Sequence, residues 1–174
     1  MATGPRTRVP FRRRREGRTD YRTRLGLLRS GETRLVVRRT GGNVIVQFVD
    51  WDGQGDKVQA TAVGQELQKM GWKGSAKSTP AAYLTGLLAG KRARDAGIEG
   101  AVLDIGRHAS VRGSKVYAAL KGALDAGVHV PHGDGIFPSE ERLNGAFLKQ
   151  DKDFEAVRGA IGVKRSAKSQ DEEE

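Results

Sequence analysis

Residues 34–63, RLVVRRTGGNVIVQFVDWDGQGDKVQATAV, decide the fold. Arg34 to Arg39 and Val44 to Val49 are β-branched runs joined by Thr40-Gly41-Gly42-Asn43, a hairpin signal. Asp52 to Asp56 makes a second turn, after which Val58, Ala60 and Ala62 alternate with polar partners through Val63. Three successive strands in an antiparallel meander are expected. In the first, Arg34, Val36 and Arg38 share one face and Leu35, Val37 and Arg39 the other.

Downstream the period changes. Thr79-Pro80 puts a capping residue before a proline at a helix start, and Tyr83, Leu84, Leu87 and Leu88 form an apolar stripe that ends at Gly97. Ala101 to Ile105 is a short buried strand. Gly113-Ser114 opens a second helix, with Val116, Tyr117, Leu120 and Leu124 inward, closed by Gly127. A strand, a crossover helix and another strand imply parallel pairing with a right-handed crossover. The order β-β-β-α-β-α is an α/β fold with a mixed sheet. Gly86-Leu87-Leu88-Ala89-Gly90 resembles a membrane small-residue pattern, but Lys91-Arg92 follow it, and close packing on the sheet explains it better. Residues 139–161 suit one or two helices around Phe147, Phe154 and Ile161, and residues 164–174 are low-complexity and polar.

Upstream lies a different kind of sequence. Thr19 or Asp20 starts a helix whose stripe is Tyr21, Leu25 and Leu28, and Ser30-Gly31 stops it. Before it, residues 1–15 hold only Val9 and Phe11 as sizeable apolar groups, too few to offset the entropy of ordering, so this arm is expected to fold on a partner. The first forty residues carry thirteen arginines against Glu16, Asp20 and Glu32, which accounts for the whole formal charge of +10; the remaining residues sum to zero. The arginines are Arg6, Arg8, Arg12, Arg13, Arg14, Arg15, Arg18, Arg22, Arg24, Arg29, Arg34, Arg38 and Arg39, and no lysine precedes Lys57. Solubility alone would tolerate lysine, whereas planar guanidinium groups suit bidentate phosphate contacts and stacking on bases. Nucleic acid is the expected partner. If roughly six of these cations met phosphates, affinity would drop on the order of 10³-fold between 50 and 200 mM salt.

A second basic cluster is Gly106 to Lys115, GRHASVRGSK, where Arg107, His108, Arg112 and Lys115 precede a helix N-terminus with Ser114. Free amides and the positive dipole end favour a phosphate there. The spacing fails as a nucleotide-binding P-loop, because six residues separate the glycines and Ser114 precedes Lys115. Gln47 lies on the sheet face of Arg34 and Arg38 and is a third candidate contact. His108, His129 and His132 lack metal-ligand spacing, and the chain has no cysteine, so neither a disulfide framework nor a thiolate metal site is possible. No segment reads as a signal peptide or membrane span, and a soluble protein without cofactor or small-molecule substrate is expected.

The segments PFRRRREGRTDY (Pro10 to Tyr21), RLVVR (Arg34 to Arg38), PAAYLTGLLAGKRARDAG (Pro80 to Gly97), AVLDIG (Ala101 to Gly106), GSKVYAALKGALDAG (Gly113 to Gly127) and Pro131-His132 resemble, in order, the 5S-rRNA-binding large-subunit ribosomal proteins of the L-eighteen family in its archaeal and eukaryotic form. The resemblance spans roughly residues 4–138. It implies a ribonuclease-H-like core used structurally, without catalysis, and residence in the central protuberance of the cytoplasmic ribosome. It also implies contacts with 5S rRNA, large-subunit rRNA and neighbouring ribosomal proteins. The family's RNA-lying arm maps most directly onto Arg12, Arg13, Arg14, Arg15, Arg18 and Tyr21, although Tyr21 also belongs to the helix's apolar stripe. The family's sheet surface and basic loop map onto Arg34, Arg38 and Gln47, and onto the 106–115 cluster. Three parts are expected: residues 1–31 as arm and first helix, 32–130 as the α/β core, and 131–174 as an extension with a mobile acidic tail.

Two other classes compete. Ribonuclease-H-like cores often carry two-metal nuclease sites, for which Asp104 and Asp50 or Asp52 are the available acids, yet no further inward acid is evident on the first strand. A regulatory DNA- or RNA-binding module lacks a helix-turn-helix, zinc-finger or aromatic RNA-stacking signature.

Overall fold

The computed structural model describes residue 4 and residues 6–162. The meander forms as expected: β1 (Arg34–Arg39), β2 (Val44–Trp51) and β3 (Asp56–Val63) pair antiparallel. The sheet order is β3-β2-β1-β4, with β4 (Val102–Asp104) parallel to β1. After the second long helix the chain returns beside β4, where Gly100 and His129 form a single parallel bridge. A bulge sits between Phe48 and Val49, so Val49 pairs with Val58 while Phe48 pairs with Ala60.

One sheet face is apolar. Leu35, Val37, Val44, Val46, Phe48, Ala60 and Ala62 are buried beneath α4 (Thr79–Asp95) and α5 (Lys115–Asp125). Ser78, not Thr79, caps α4: its Oγ accepts from the Ala81 amide, and Pro80 falls in the first turn where its missing N–H costs nothing. The expected single stripe understates this helix, since every residue from Pro80 to Gly90 is buried. The glycines explain why. A Cβ on Gly86 would run into the Ala119 backbone, and one on Gly122 into the Tyr83 carbonyl. The close approach is therefore between α4 and α5, rather than between α4 and the sheet.

Two short helices were not legible as such: α1 (Arg12–Arg15) within the arm and α3 (Glu66–Lys69). In the C-terminal part, α6 (Glu140–Asn144), a 3-10 turn (Ala146–Leu148) and α7 (Asp151–Ile161) follow one another. Leu143, Phe154, Val157 and Ile161 join the same core, and Phe154 meets Tyr83 at 5.6 Å between ring centroids. Phe147 does not join it and is 73% exposed, because the left-handed Gly145 and Lys149 turn the intervening segment outward. The expected acidic tail lies outside the described residues. Among the described residues, no helix is long and apolar enough to cross a membrane.

Candidate nucleic-acid interface

Helix α2 (Tyr21–Arg29) carries the arm onto the sheet's other face. Its start is built by Asp20, whose carboxylate accepts from the amides of Arg22 (3.0 Å) and Thr23 (3.3 Å) and from the Thr23 hydroxyl (2.9 Å). Those hydrogen bonds, the Thr23 hydroxyl's foremost, hold the Asp20 carboxyl below its usual range. Gly31 ends the segment at φ +71°. The inward side is Tyr21, Arg24, Leu27 and Leu28, all half-buried, whereas Leu25 is 52% exposed. The expected Tyr21-Leu25-Leu28 stripe is thus rotated, because Arg24 takes the sheet-facing position.

That rotation has an electrostatic cause. Arg24 donates to Asp56 on β3 (2.8 Å) and lies over the Trp51 ring, 5.8 Å from its centroid. Its guanidinium is held protonated above its ordinary range chiefly by that Asp56 bond. Asp56 accepts at the same time from Arg34 (2.7 Å). Arg34 also donates to Asp104 (3.2 Å), and Asp104 accepts from Arg38 (2.8 Å) and from the Gly106 amide (2.8 Å). The chain Arg24–Asp56–Arg34–Asp104–Arg38 ties α2, three strands and the loop after β4 together.

Arg34 must therefore leave the RNA-contacting set. It is 2% exposed, with its guanidinium between two carboxylates, so no phosphate reaches it in this structure. Arg24 and Arg38 are half-buried and committed to acids, which leaves them partly available. The same network engages the acid that a two-metal site would draw on. Both Asp104 oxygens are taken by guanidinium groups, and among the described residues no cluster of acids or histidines could hold a metal ion.

The arm is different. Arg6, Arg8, Arg12, Arg13, Arg14, Arg15, Arg18, Arg22 and Arg29 are all exposed. Glu16 pairs with Arg12 (3.6 Å) and Arg18 (3.0 Å), and Arg13 donates to the Thr19 hydroxyl (2.9 Å). Such exposed pairs are worth little and open readily. Among the described residues Arg14, Arg15, Arg22 and Arg29 have no acidic partner within ion-pair distance.

The basic loop meets this arm. Gly106 adopts φ +60°, a conformation that favours glycine, and a Cβ there would crowd the tip of the Arg38 side chain at 2.9 Å. Arg107 reaches toward Gly17, and with His108 it lines two adjoining clefts beneath the arm. One, about 320 Å³, lies among Arg13, Arg18, Arg24, Arg38 and Arg107; the other, about 460 Å³, lies among Arg14, Tyr21, Arg22 and Arg107. His108 Nε2 accepts from the Arg39 amide (3.0 Å), which requires a neutral ring. Burial first, then Arg39 and Arg38, pushes its pKa below the ordinary value.

At the far end of the loop, Arg112 is exposed and Lys115 half-buried. Burial, then Arg39 and Lys77, lowers the Lys115 amine. The Ser114 Oγ at the start of α5 is buried without a hydrogen-bond partner. Arg39 and Lys77 thus belong to this second cationic patch, although sequence reading left them out of the site. Gln47 is half-buried on the sheet's α2-bearing face, opposite Val36 and Thr61, away from the loop. Phe11 is another omission: it stands beside Tyr21 at 5.7 Å between ring centroids and is 69% exposed.

Comparison with known proteins agrees with the resemblance. The family model of ribosomal large subunit proteins 60S L5 and 50S L18 matches residues 5–98 and 95–133. The large ribosomal subunit protein uL18 of Methanothermobacter thermautotrophicus is 53% identical over 150 residues, covering 86% of this chain and 78% of that protein. The protein of the same name from Korarchaeum cryptofilum is 56% identical over 148 residues, covering 85% and 76%.

Proposed function

This chain belongs to the family of ribosomal large subunit proteins 60S L5 and 50S L18, and from that premise we propose that it binds 5S rRNA and helps attach it to the large-subunit rRNA in the central protuberance of the cytoplasmic ribosome. Its role is structural and not enzymatic. One observation carries the RNA-binding reading: Arg13, Arg14, Arg18 and Arg22 of the arm and first helix and Arg107 of the basic loop converge on the same pair of clefts. Arg24, Arg34 and Arg38 are paired with Asp56 and Asp104, but the exposed arginines crowded into residues 6–29 repel one another until a polyanion neutralises them.

The contacting set is Arg6, Arg8, Arg12, Arg13, Arg14, Arg15, Arg18, Tyr21, Arg22, Arg24, Arg29, Arg38, Gln47, Arg107, His108, Arg112, Ser114 and Lys115, with Arg34 removed for its burial. Residues 1–31 act as the grip and residues 32–130 as the rigid body, onto whose core Leu143, Phe154, Val157 and Ile161 of the 131–174 extension also pack. The strand order β3-β2-β1-β4, with the parallel bridge at His129 beyond it, supports a ribonuclease-H-like core. In that core Asp104, at the end of β4, brackets the guanidinium groups of Arg34 and Arg38.

Hydroxyl-radical footprinting of 5S rRNA with the full chain tests this. Protected backbone should appear with the wild-type chain and fade when Arg12 to Arg15 are glutamine. An unprotected 5S rRNA would remove the assignment.

A further inference from the structure

The arm holds an aromatic pair that charge alone does not explain. Phe11 precedes α1 in extended backbone (φ −50°, ψ 146°), and its ring tilts at 52° to that of Tyr21 across 5.7 Å. Packing against Tyr21 leaves Phe11 69% exposed, so the pair does not act as a core. Four exposed arginines follow Phe11 directly, and Tyr21 also lines the larger cleft with Arg14, Arg22 and Arg107. The acid in that cleft, Asp20, is occupied by the amides of Arg22 and Thr23 and by the Thr23 hydroxyl, so it opposes an incoming anion weakly.

An exposed Phe11 ring, with the Tyr21 ring tilted beside it and arginines around both, fits an unstacked nucleobase laid on the Phe11 face. Fully paired RNA offers the arm phosphates but no free base face, whereas loops and bulges offer both. We infer that Phe11 and Tyr21 form a stacking platform for one unpaired base of the bound RNA, while Arg14, Arg22 and Arg107 hold its flanking phosphates. The inference rests on the reading of the arm as RNA-binding and assigns to it a preference for unpaired nucleotides. Tyr21 then serves both as an inward-facing helix residue and as one wall of the platform.

The test compares the full chain with Phe11→Leu, which keeps apolar bulk but removes the ring. Phe11 is too exposed for this change to unfold the protein, and circular dichroism checks that. Affinity is measured for a 5S rRNA transcript and for a perfectly paired RNA duplex, with Arg14→Gln in parallel. Phe11→Leu should weaken 5S rRNA binding by about fivefold to a hundredfold and leave the duplex unchanged. Arg14→Gln should weaken both. Ultraviolet cross-linking of the wild-type complex should place a nucleotide on the peptide bearing Phe11 or Tyr21. Unchanged 5S binding by Phe11→Leu, or an equal loss on both RNAs, overturns the platform. If Arg14→Gln still weakens both RNAs in that case, the arm's RNA-binding role survives; if it does not, that role falls too.

Discussion

Replacing Asp104 with asparagine should destabilise the fold by about 3 kcal/mol. The figure follows from who would be left without a partner. Arg34 is 2% exposed and its Nε already lacks a hydrogen bond, so its charge depends on Asp104 and Asp56 alone. Asp56 is 35% exposed and shared with Arg24, which makes it the weaker of the two. Removing one partner of a buried pair costs about 3–5 kcal/mol. The remaining bond to Asp56, together with the amide oxygen that still accepts from Gly106 or Arg38, puts Asp104→Asn at the lower end. For a chain of this length that corresponds to a fall in Tm of about 6–12 °C. Urea and thermal unfolding followed by circular dichroism read it directly. The loss should be insensitive to salt, since the pair is buried. Asp56→Asn should cost less, about 1 kcal/mol, because water already reaches that carboxylate. Combining Asp104→Asn with Arg34→Met should cost less than the sum of the two, because each single change already breaks the shared pair. An Asp104→Asn variant within about 0.5 kcal/mol of the wild type would refute the claim that this network holds the sheet and α2 together.

Other expectations concern the arm, the loop and the helix pair. Changing Arg12 to Arg15 into glutamine should weaken binding to every RNA and lower the slope of log affinity against log salt by about 3, with no loss of Tm; an unchanged slope in a salt titration would show that they meet no phosphate. His108 has its folded pKa depressed, so its neutral form favours the native state. That stability is present above the unfolded value of about 6.5 and is lost as pH falls below it through the folded pKa. Urea midpoints between pH 7.5 and 5 should decline, and less so in His108→Gln. Gly86→Ala should cost about 3 kcal/mol, since the added methyl meets backbone that cannot rotate away; a normal unfolding midpoint would mean that α4 and α5 are free to separate.

The sheet was legible because alternation, turn residues and β-branching all agree between residues 34 and 63. The long helices were legible from their stripes and glycine stops. What sequence could not display is the competition for faces. Period alone gives Leu25 an inward place, but the Asp56 and Trp51 contacts draw Arg24 there instead. Arg34 looked like its neighbours Arg38 and Arg39, and only the register of β1 against β4, which pairs Val36 with Asp104 and Arg34 with Val102, brings its guanidinium within reach of the buried Asp104 carboxylate. Gly86 and Gly90 signalled a close approach, but the expected partner, the sheet, is wrong: a small residue fits a sheet or a helix equally well, and the backbone it meets is that of α5. Phe147 looked like core because it is aromatic, and the left-handed residues on either side turn it out. Within the site, charge identified the arm, while the joining of arm and loop at shared clefts required the fold.

On the proposed reading the arm supplies a general grip on nucleic acid, and the folded body behind it supplies the choice of 5S rRNA. Competition binding of the full chain to 5S rRNA against tRNA and duplex DNA, repeated across a salt series, tests that separation most directly. 5S rRNA should bind tightest at every salt concentration, and changing Arg12 to Arg15 into glutamine should weaken all three. Equal affinity for all three nucleic acids, unaffected by those changes, would contradict that reading.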